Sequence, residues 1–294
     1  MVDPINLAVN IAIISSFYAL VAIGFTLIFS VGGILNFAHG SFITLGGFTA
    51  YIVSNELGYP IELGLLAAMV VAALAGVVIY RGLIHHIEDK PMTVLILTLV
   101  IGLFIQHSLR LFVTSSIITV PIGATATPLP LGGDFELAGI TFQNSLLLIF
   151  FSSWAIIGAL FLLVDRTRKG QAILALSMDA RGATLIGIDG SRINLLTWVL
   201  AAAMAGFAGV LLTSFQTGQW NMGNEPLLIS FAIVILGGVG SIKGSIIAAY
   251  IIGTIETLTV SIISPKLTGV SAFIILILAM LLLPEGLYGR EAAE

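Results

Sequence analysis

Apolar residues run along this chain in long stretches, near positions 8–30, 34–53, 61–80, 92–113, 144–164, 193–215, 241–263 and 268–283, with polar residues gathered between them. Each stretch can form a helix that crosses a hydrocarbon layer about 30 Å thick, which takes roughly 20 residues. Helices are expected because a chain inside lipid must satisfy its backbone groups internally, and only helices and closed barrels do so. A barrel would show short segments alternating in polarity, and these runs do not alternate. A ninth stretch, 226–240, is apolar but short and ends in glycines, which predicts a re-entrant or broken helix. The pattern predicts an all-α, polytopic transmembrane helical bundle of about eight or nine spans. It forms a single domain over residues 1–294. The first run starts near Ile11 and passes Phe29 with no Lys or Arg before it, so it reads as a retained span rather than a signal-peptide core.

Lys and Arg fall mainly in two connections, and these set the orientation. One, 81–90, holds Arg81 and Lys90 with His85 and His86 between them. The other runs from Arg166 through Arg168, Lys169 and Arg181 to Arg192, so both are placed in the cytoplasm. The long connection 114–143 carries Asp134 and Glu136, no Lys or Arg, and much Pro, Gly and Thr, and is expected to face outward. Counting spans back from Arg81 puts the N-terminus outside, whereas the side of the C-terminus depends on how 226–240 is folded. The stretch 170–188 carries helix-forming Ala, Leu and Met and is broken at Gly182 and Gly187. It reads either as one or two short helices under the membrane or as a solvated linker.

Composition narrows the class. Hydrophobic residues make up 58% of the chain and charged residues 9%, and the mean hydropathy is +1.13, whereas soluble domains carry about 25% charged residues. A soluble fold is excluded. With a formal net charge of -4 and its basic residues clustered, nothing points to nucleic acid or to a polybasic lipid anchor. The absence of cysteine rules out disulfides, zinc thiolate sites and thiol catalysis.

Three features carry candidate chemistry. The segment Gly32-Gly33-Ile34-Leu35-Asn36-Phe37-Ala38-His39-Gly40-Ser41 sets an amide and an imidazole at the junction of two apolar runs. Polar groups at membrane depth face a wet cavity or the bundle interior, so Asn36 and His39 are candidates for a solute path or gate, or for interhelical packing. The segment Leu236-Gly237-Gly238-Val239-Gly240-Ser241-Ile242-Lys243-Gly244-Ser245 permits close helix contact or a sharp break, and Gly237, Gly238 and Gly240 are further path or gate candidates. It is no P-loop, because Lys243 precedes Gly244 instead of following it. The two segments share a Gly-Gly pair followed later by Gly-Ser, either a trace of an internal repeat or a coincidence. Glu256 is a carboxylate deep in an apolar run, so it must be protonated, paired or facing water. Gln106, His107 and Arg110 read as interfacial anchors near the outer end of their run. No Ser-His-Asp order, metal-ligand cluster or paired carboxylates stand out in the connections, which disfavours enzyme chemistry.

At three places the residues match a known pattern. Leu35-Asn36-Phe37-Ala38-His39-Gly40, the stretch 179–189 with its Leu185-Ile186-Gly187-Ile188, and Leu236-Gly237-Gly238-Val239-Gly240-Ser241 occur in the order and spacing of one family. The chain resembles the membrane permeases of branched-chain amino-acid ABC importers over nearly its whole length. The resemblance implies a multi-pass protein of the cell (inner) membrane. Its cytoplasmic region, 165–192, would dock on an ATPase subunit through Asp179, Ala183, Leu185, Gly187 and Ile188. Members often carry two adjacent acidic residues there; here Met178 replaces the first and only Asp179 remains. Glu256 also falls where the family tends to have Glu. The partners implied are a second permease subunit, two ATPase subunits, an extracytoplasmic solute-binding protein and membrane lipid. No cofactor is expected on this chain, since ATP would be used by the partner subunits. The cargo implied is a branched-chain or other aliphatic amino acid, with urea, amides and sugars as alternatives in the same class. A stand-alone secondary transporter coupled through Glu256 and His39 is the rival from another class.

Overall fold

A computed structural model describes residues 4–112, 118–119, 134–137, 140–283 and 285–288. Eleven helices are described in chain order. After α1 (Pro4–Gly32) come α2 (His39–Tyr51), prolonged by a π turn, α3 (Ile61–Gly82) and α4 (Pro91–Phe112). Next follow α5 (Asn144–Arg166), the short α6 (Arg168–Met178) and α7 (Ala180–Leu185), and the long α8 (Gly190–Phe215). The last three are α9 (Asn224–Gly237), α10 (Ile242–Leu258), also prolonged by a π turn, and α11 (Val270–Leu282). The starts follow local chemistry. Pro91 opens α4, where its missing N–H costs nothing. Thr167, Asp179, Asp189 and Ser241 cap α6, α7, α8 and α10 by accepting the amides of Gly170, Gly182, Arg192 and Gly244. The exception to helix among the described elements is an antiparallel hairpin of β1 (Asp134–Leu137) and β2 (Ile140–Gln143), with Asp134 opposite Gln143. Most of the 114–143 connection lies outside the described residues, and Ile118 is tied by two backbone hydrogen bonds to Gly218, beyond the end of α8.

Six helical segments among the described residues are long and apolar enough to cross a membrane: α1, α3, α4, α5, α8 and α10. The expectation of eight or nine spans treated 34–53, 226–240 or 268–283 as crossings too, and each is shorter. The 34–53 run does not start as a helix, because residues 33–36 are non-helical and α2 begins only at His39. With its π turn α2 runs to Glu56 and is not among the helices apolar enough to cross, while the fourteen and thirteen residues of α9 and α11 extend only about 20 Å each at 1.5 Å per residue.

Burial separates the helices into a centre and a surround. In the most apolar window of α1, 83% of residues are buried, and in that of α8, 72%, against 22% to 33% for α3, α4, α5 and α10. A helix apolar all round can serve as the core, whereas lipid-facing helices leave one side to the acyl chains. Contacts fix the directions. Phe17 meets Phe215 with ring centroids 5.6 Å apart, while a side chain at Gly32, at the other end of α1, would meet Asn194 near the start of α8. The two are therefore antiparallel. Thr26 bonds Ser245 at 2.7 Å and Gly253 lies against Ser15, so α10 also runs antiparallel to α1.

The two basic connections meet at one end. The Tyr80 hydroxyl donates to the Ser191 carbonyl at 3.2 Å, and the Ser191 hydroxyl lies 3.4 Å from His85 Nδ1. By the basic residues in the sequence, this is the end expected in the cytoplasm. Residues near the C-terminus return to it: the amides of Leu287 and Tyr288 donate to the carbonyls of Leu236 and Gly237 at 2.8 and 3.1 Å. That contact places residues 287–288 against the end of α9.

The crossing of α2 with α8 needs glycine. A Cβ on Gly209 would strike the Ile43 backbone, and one on Gly46 would strike that of Gly206. Gly209→Leu is expected to lose about 3 kcal/mol or more, the upper range for overpacking, and to lower the yield of folded protein on fluorescence-detected size-exclusion chromatography. Gly158→Leu, on α5 with nothing within 4 Å of its Cβ position, is expected to leave the elution profile unchanged.

Candidate functional site

The non-helical approach to α2 is held by side chains, as it must be inside a bilayer. Asn36 Oδ1 accepts the Ala38 amide at 3.0 Å, and Thr98 of α4 accepts the Phe37 amide at 3.1 Å. His39 is fully buried, with Nε2 3.2 Å from the Val21 carbonyl of α1 and its ring edge-on to Phe25. Val21 lies about 16 Å along α1 from Gly32, so α2 starts at depth. Asn36 Nδ2 and His39 Nδ1 are left without partners among the described residues. The structure thus places both residues at an internal break in the helical path, where they support the fold.

The second break joins α9 to α10. Gly238 and Gly240 adopt φ of +95° and +81°, values that an L side chain resists. Gly237 packs against Gly244 with no room for a Cβ. Both readings of this glycine segment, close contact and sharp break, therefore hold at once.

Glu256 sits on α10, 2% exposed, and its carboxylate accepts the Gly269 amide and the Ser271 hydroxyl at the start of α11. A carboxylate at a helix N-terminus meets unpaired amides and the positive end of the dipole, which makes burial tolerable. Glu256 also borders a cavity of about 310 Å³ between α1, α8, α9 and α10. The cavity reaches Asn10 and Tyr18 on α1, Gln216 after α8, Glu225 at the start of α9, and Thr257 beside Glu256. Apolar walls come from Ile14, Phe17, Leu212, Phe215 and Val260. It lies toward the end opposite the basic connections, with Phe17 and Tyr18 near the middle of α1. Asn36, His39 and the glycines of 237–240 do not line it.

Sequence reasoning singled out Glu256 and missed Tyr18, Glu225 and Thr257. The missed residues lie on three helices far apart in the chain, so no local motif joins them. For Glu225 a signal existed, because Asn224-Glu225-Pro226 carries an acidic first turn and an early proline ahead of an apolar run. Gln106, expected as an interfacial anchor, instead turns inward, 3% exposed, and donates to Asn224 Oδ1 at 2.7 Å. An uncharged amide can be buried when a partner awaits it. His107 and Arg110 both lie over the Trp220 ring, at 4.9 and 5.5 Å.

At the basic end α6 and α7 form two short helices, and the break between them falls at Asp179 rather than at Gly182. Gly182 lies inside α7 and gives its amide to Asp179 Oδ1 at 2.9 Å, so Asp179 starts the helix. Gly187 ends the unit with φ of +88°. Ala183 is buried, while Leu185 and Ile186 are 82% and 77% exposed.

Removing the Glu256 cap strands the start of α11 in a buried setting. Glu256→Leu is expected to destabilise the protein by about 1–3 kcal/mol, the cost of leaving buried donors unpaired, while Glu256→Gln, which keeps an acceptor, is expected to lose less. Thermal unfolding in detergent followed by tryptophan fluorescence checks this order.

The comparisons with known proteins agree along nearly the whole chain. The family model described as "Branched-chain amino acid transport system / permease component" matches residues 7–281. The high-affinity branched-chain amino acid transport system permease protein BraD of Pseudomonas aeruginosa is 31% identical, the match covering 97% of this chain and 96% of BraD. LivH of Escherichia coli, a permease protein named for the same kind of system, is 30% identical over 96% of this chain and 94% of its own. Among solved structures, a chain of PsaBC from Streptococcus pneumoniae shares the fold with a TM-score of 0.51 at 14% identity, covering 95% of this chain and 92% of that one. The chain is a multi-pass membrane protein and belongs to the family of branched-chain amino acid transport permease components.

Proposed function

We propose that this chain is the translocation-pathway subunit of an ATP-driven importer for branched-chain or other aliphatic amino acids, set in the cell (inner) membrane. The observation that carries the proposal is the family match across residues 7–281. In this reading a second permease subunit, two ATPase subunits and an extracytoplasmic solute-binding protein complete the assembly. ATP is bound and hydrolysed by the ATPase partners, and no cofactor is held by this chain.

The region 165–192 supports coupling to such partners. The α6–α7 unit is built as a rigid projection: Thr167 and Asp179 cap its helices, and buried Ile173, Leu176 and Ala183 anchor it. It presents Met178, Leu185 and Ile186, all more than two-thirds exposed, at the basic end of the molecule. Exposed apolar side chains rimmed by charge mark an interaction site, and here the occupant is a groove of the ATPase. Ile188 and Asp189 then lead straight into α8, whose first turn Asp189 caps at 3.2 Å. A push on α7 therefore reaches the central helix of the bundle. Asn36 and His39 at one break, and Gly237, Gly238 and Gly240 at the other, serve as joints of the path, and Glu256 borders its outer cavity.

The deciding measurement is uptake of radiolabelled leucine into vesicles holding this chain with its candidate partners and binding protein, with and without ATP on the ATPase side. Uptake that requires both ATP and the partners is expected. Uptake by this chain alone would replace the importer reading with the secondary-transporter one. In the same vesicles, the double replacement of Leu185 and Ile186 by Ser is expected to cut ATP-driven uptake by about tenfold or more, the scale of an interface anchor worth over 1.4 kcal/mol. The amount of chain in the membrane should not change. Gly187→Val, which forces a branched side chain into positive φ, is expected to act in the same direction.

A further inference from the structure

The break between α9 and α10 is completed by residues that follow α11. A helix leaves its last carbonyls without intrahelical partners, so something else has to supply them. At the end of α9 the Ile235 carbonyl takes the Gly238 amide at 3.3 Å. The next two carbonyls, of Leu236 and Gly237, take the amides of Leu287 and Tyr288 at 2.8 and 3.1 Å. Gly286, at φ of +74°, is pressed onto the same place, where a Cβ would strike the Gly238 backbone. Gly237 also packs against Gly244 of α10, and Gly240 lies beside Ser30 near the end of α1. Backbone from α1, α9, α10 and the strap 285–288 therefore converges on one joint.

The strap is a continuation of α11. The Gly286 amide returns to the Leu283 carbonyl at 2.8 Å, which turns the chain off that helix. The opposite end of α11 is held by Glu256 of α10, which accepts the Gly269 amide and the Ser271 hydroxyl. Thus α11 is tied at both ends to the α9–α10 pair. The hold on the joint is made by main chain. Glu285 is exposed, as are Leu287 and Tyr288 at 39% and 51%, so the side chains of the strap bury little. A contact with few apolar groups behind it belongs to the low-stability end of a fold and can open without disturbing the core.

Resting on the reading of Gly237, Gly238 and Gly240 as a joint of the transport path, we infer that residues 285–288 are a detachable clasp on that joint, shut in one stage of the transport cycle and open in another. Leu287 and Tyr288 are positioning residues that act through their amides, and Gly286 acts through its lack of a side chain. While the clasp is shut, Gly286 covers Gly238 and the two carbonyls at the end of α9 are held in place. Once it opens, Gly238 and Gly240 are free to turn, because glycine has the widest choice of backbone conformations. Substitution of the side chains at 287 and 288 leaves the clasp working as long as the amides remain.

The test uses the full assembly of this chain with its partner permease, ATPases and binding protein in lipid nanodiscs. Amide hydrogen exchange of the peptide spanning 285–288 is followed by mass spectrometry, without nucleotide and after trapping with ATP and vanadate. Protection in one state that falls by about tenfold or more in the other is expected, as for a local opening. In vesicles, Leu287→Pro, which removes a donor, is expected to lower leucine uptake per ATP hydrolysed by about tenfold, the scale of one buried acceptor left unpaired. Leu287→Ala and Tyr288→Ala keep the amides and are expected to transport as the unaltered chain does. Equal exchange in the two states, or the same loss from Leu287→Ala as from Leu287→Pro, would overturn the inference. The exchange comparison uses the unaltered protein, so it decides the matter even where the proline variant does not fold. ATP-driven leucine uptake by the unaltered assembly would still stand in those cases, so a failure of the clasp is distinguished from a failure of the importer reading.

Discussion

Inside a bilayer no water is available to a broken backbone, and this constraint shapes the whole chain. Wherever the helical ladder is interrupted at depth, a side chain or another helix has to complete it. The interruptions are few and each has its answer. Asn36 and Thr98 take the amides before α2. Ser241 takes the amide of Gly244 at the start of α10. Glu256 takes the amide of Gly269 before α11. The polar residues of the spans are thus placed where the backbone leaves regular helix, and the helices between them need little beyond apolar surface.

That division explains what the sequence made legible. Long apolar runs gave the limits of α3, α4 and α8 to within a few residues, because a helix in lipid continues as long as its side chains are apolar. The same logic failed at 34–53, where Ile34, Leu35 and Phe37 read as helix interior although the backbone there is not helical. Hydropathy reports what a residue's surroundings are, and not how the backbone is wound. The break between α6 and α7 was sought at Gly182, but Asp179 sets it, because a capping carboxylate starts a helix more firmly than a glycine ends one. Among the described residues six helices are long and apolar enough to cross, against the eight or nine expected, and for α9 and α11, which are as apolar as those six, it is length that makes the difference.

The candidate cavity was the least legible part. Asn36, His39 and the glycine segment were visible because they cluster locally in the sequence, and the structure uses them at the breaks. Glu225, Tyr18 and Thr257 come together only when α1, α9 and α10 pack, so no local motif in the sequence joins them. Of the carboxylates at depth, Glu256 drew attention because it is deep in an apolar stretch, yet the fold already engages both of its oxygens. A polar residue's depth marks it as costly. Whether it is available for a ligand depends on whether the fold has already paired it.

The two ends of the molecule are joined most directly by α8. Its first turn is capped by Asp189 next to the α6–α7 unit, and its last residues, Leu212 and Phe215, form part of the cavity wall. Along its length it meets α1, α2 and α3, and at Gly206 and Gly209 the backbones of α3 and α2 approach too closely for any side chain. Smooth contacts of this kind, between glycine and backbone, resist separation but offer few interlocking side chains against sliding. A small axial displacement of α8 therefore costs less than tilting it away from its neighbours. In the importer reading, such a shift carries a movement of α7 to Leu212 and Phe215 without unwinding any helix, and it would change the cavity's apolar wall while Glu225, on α9, stays in place.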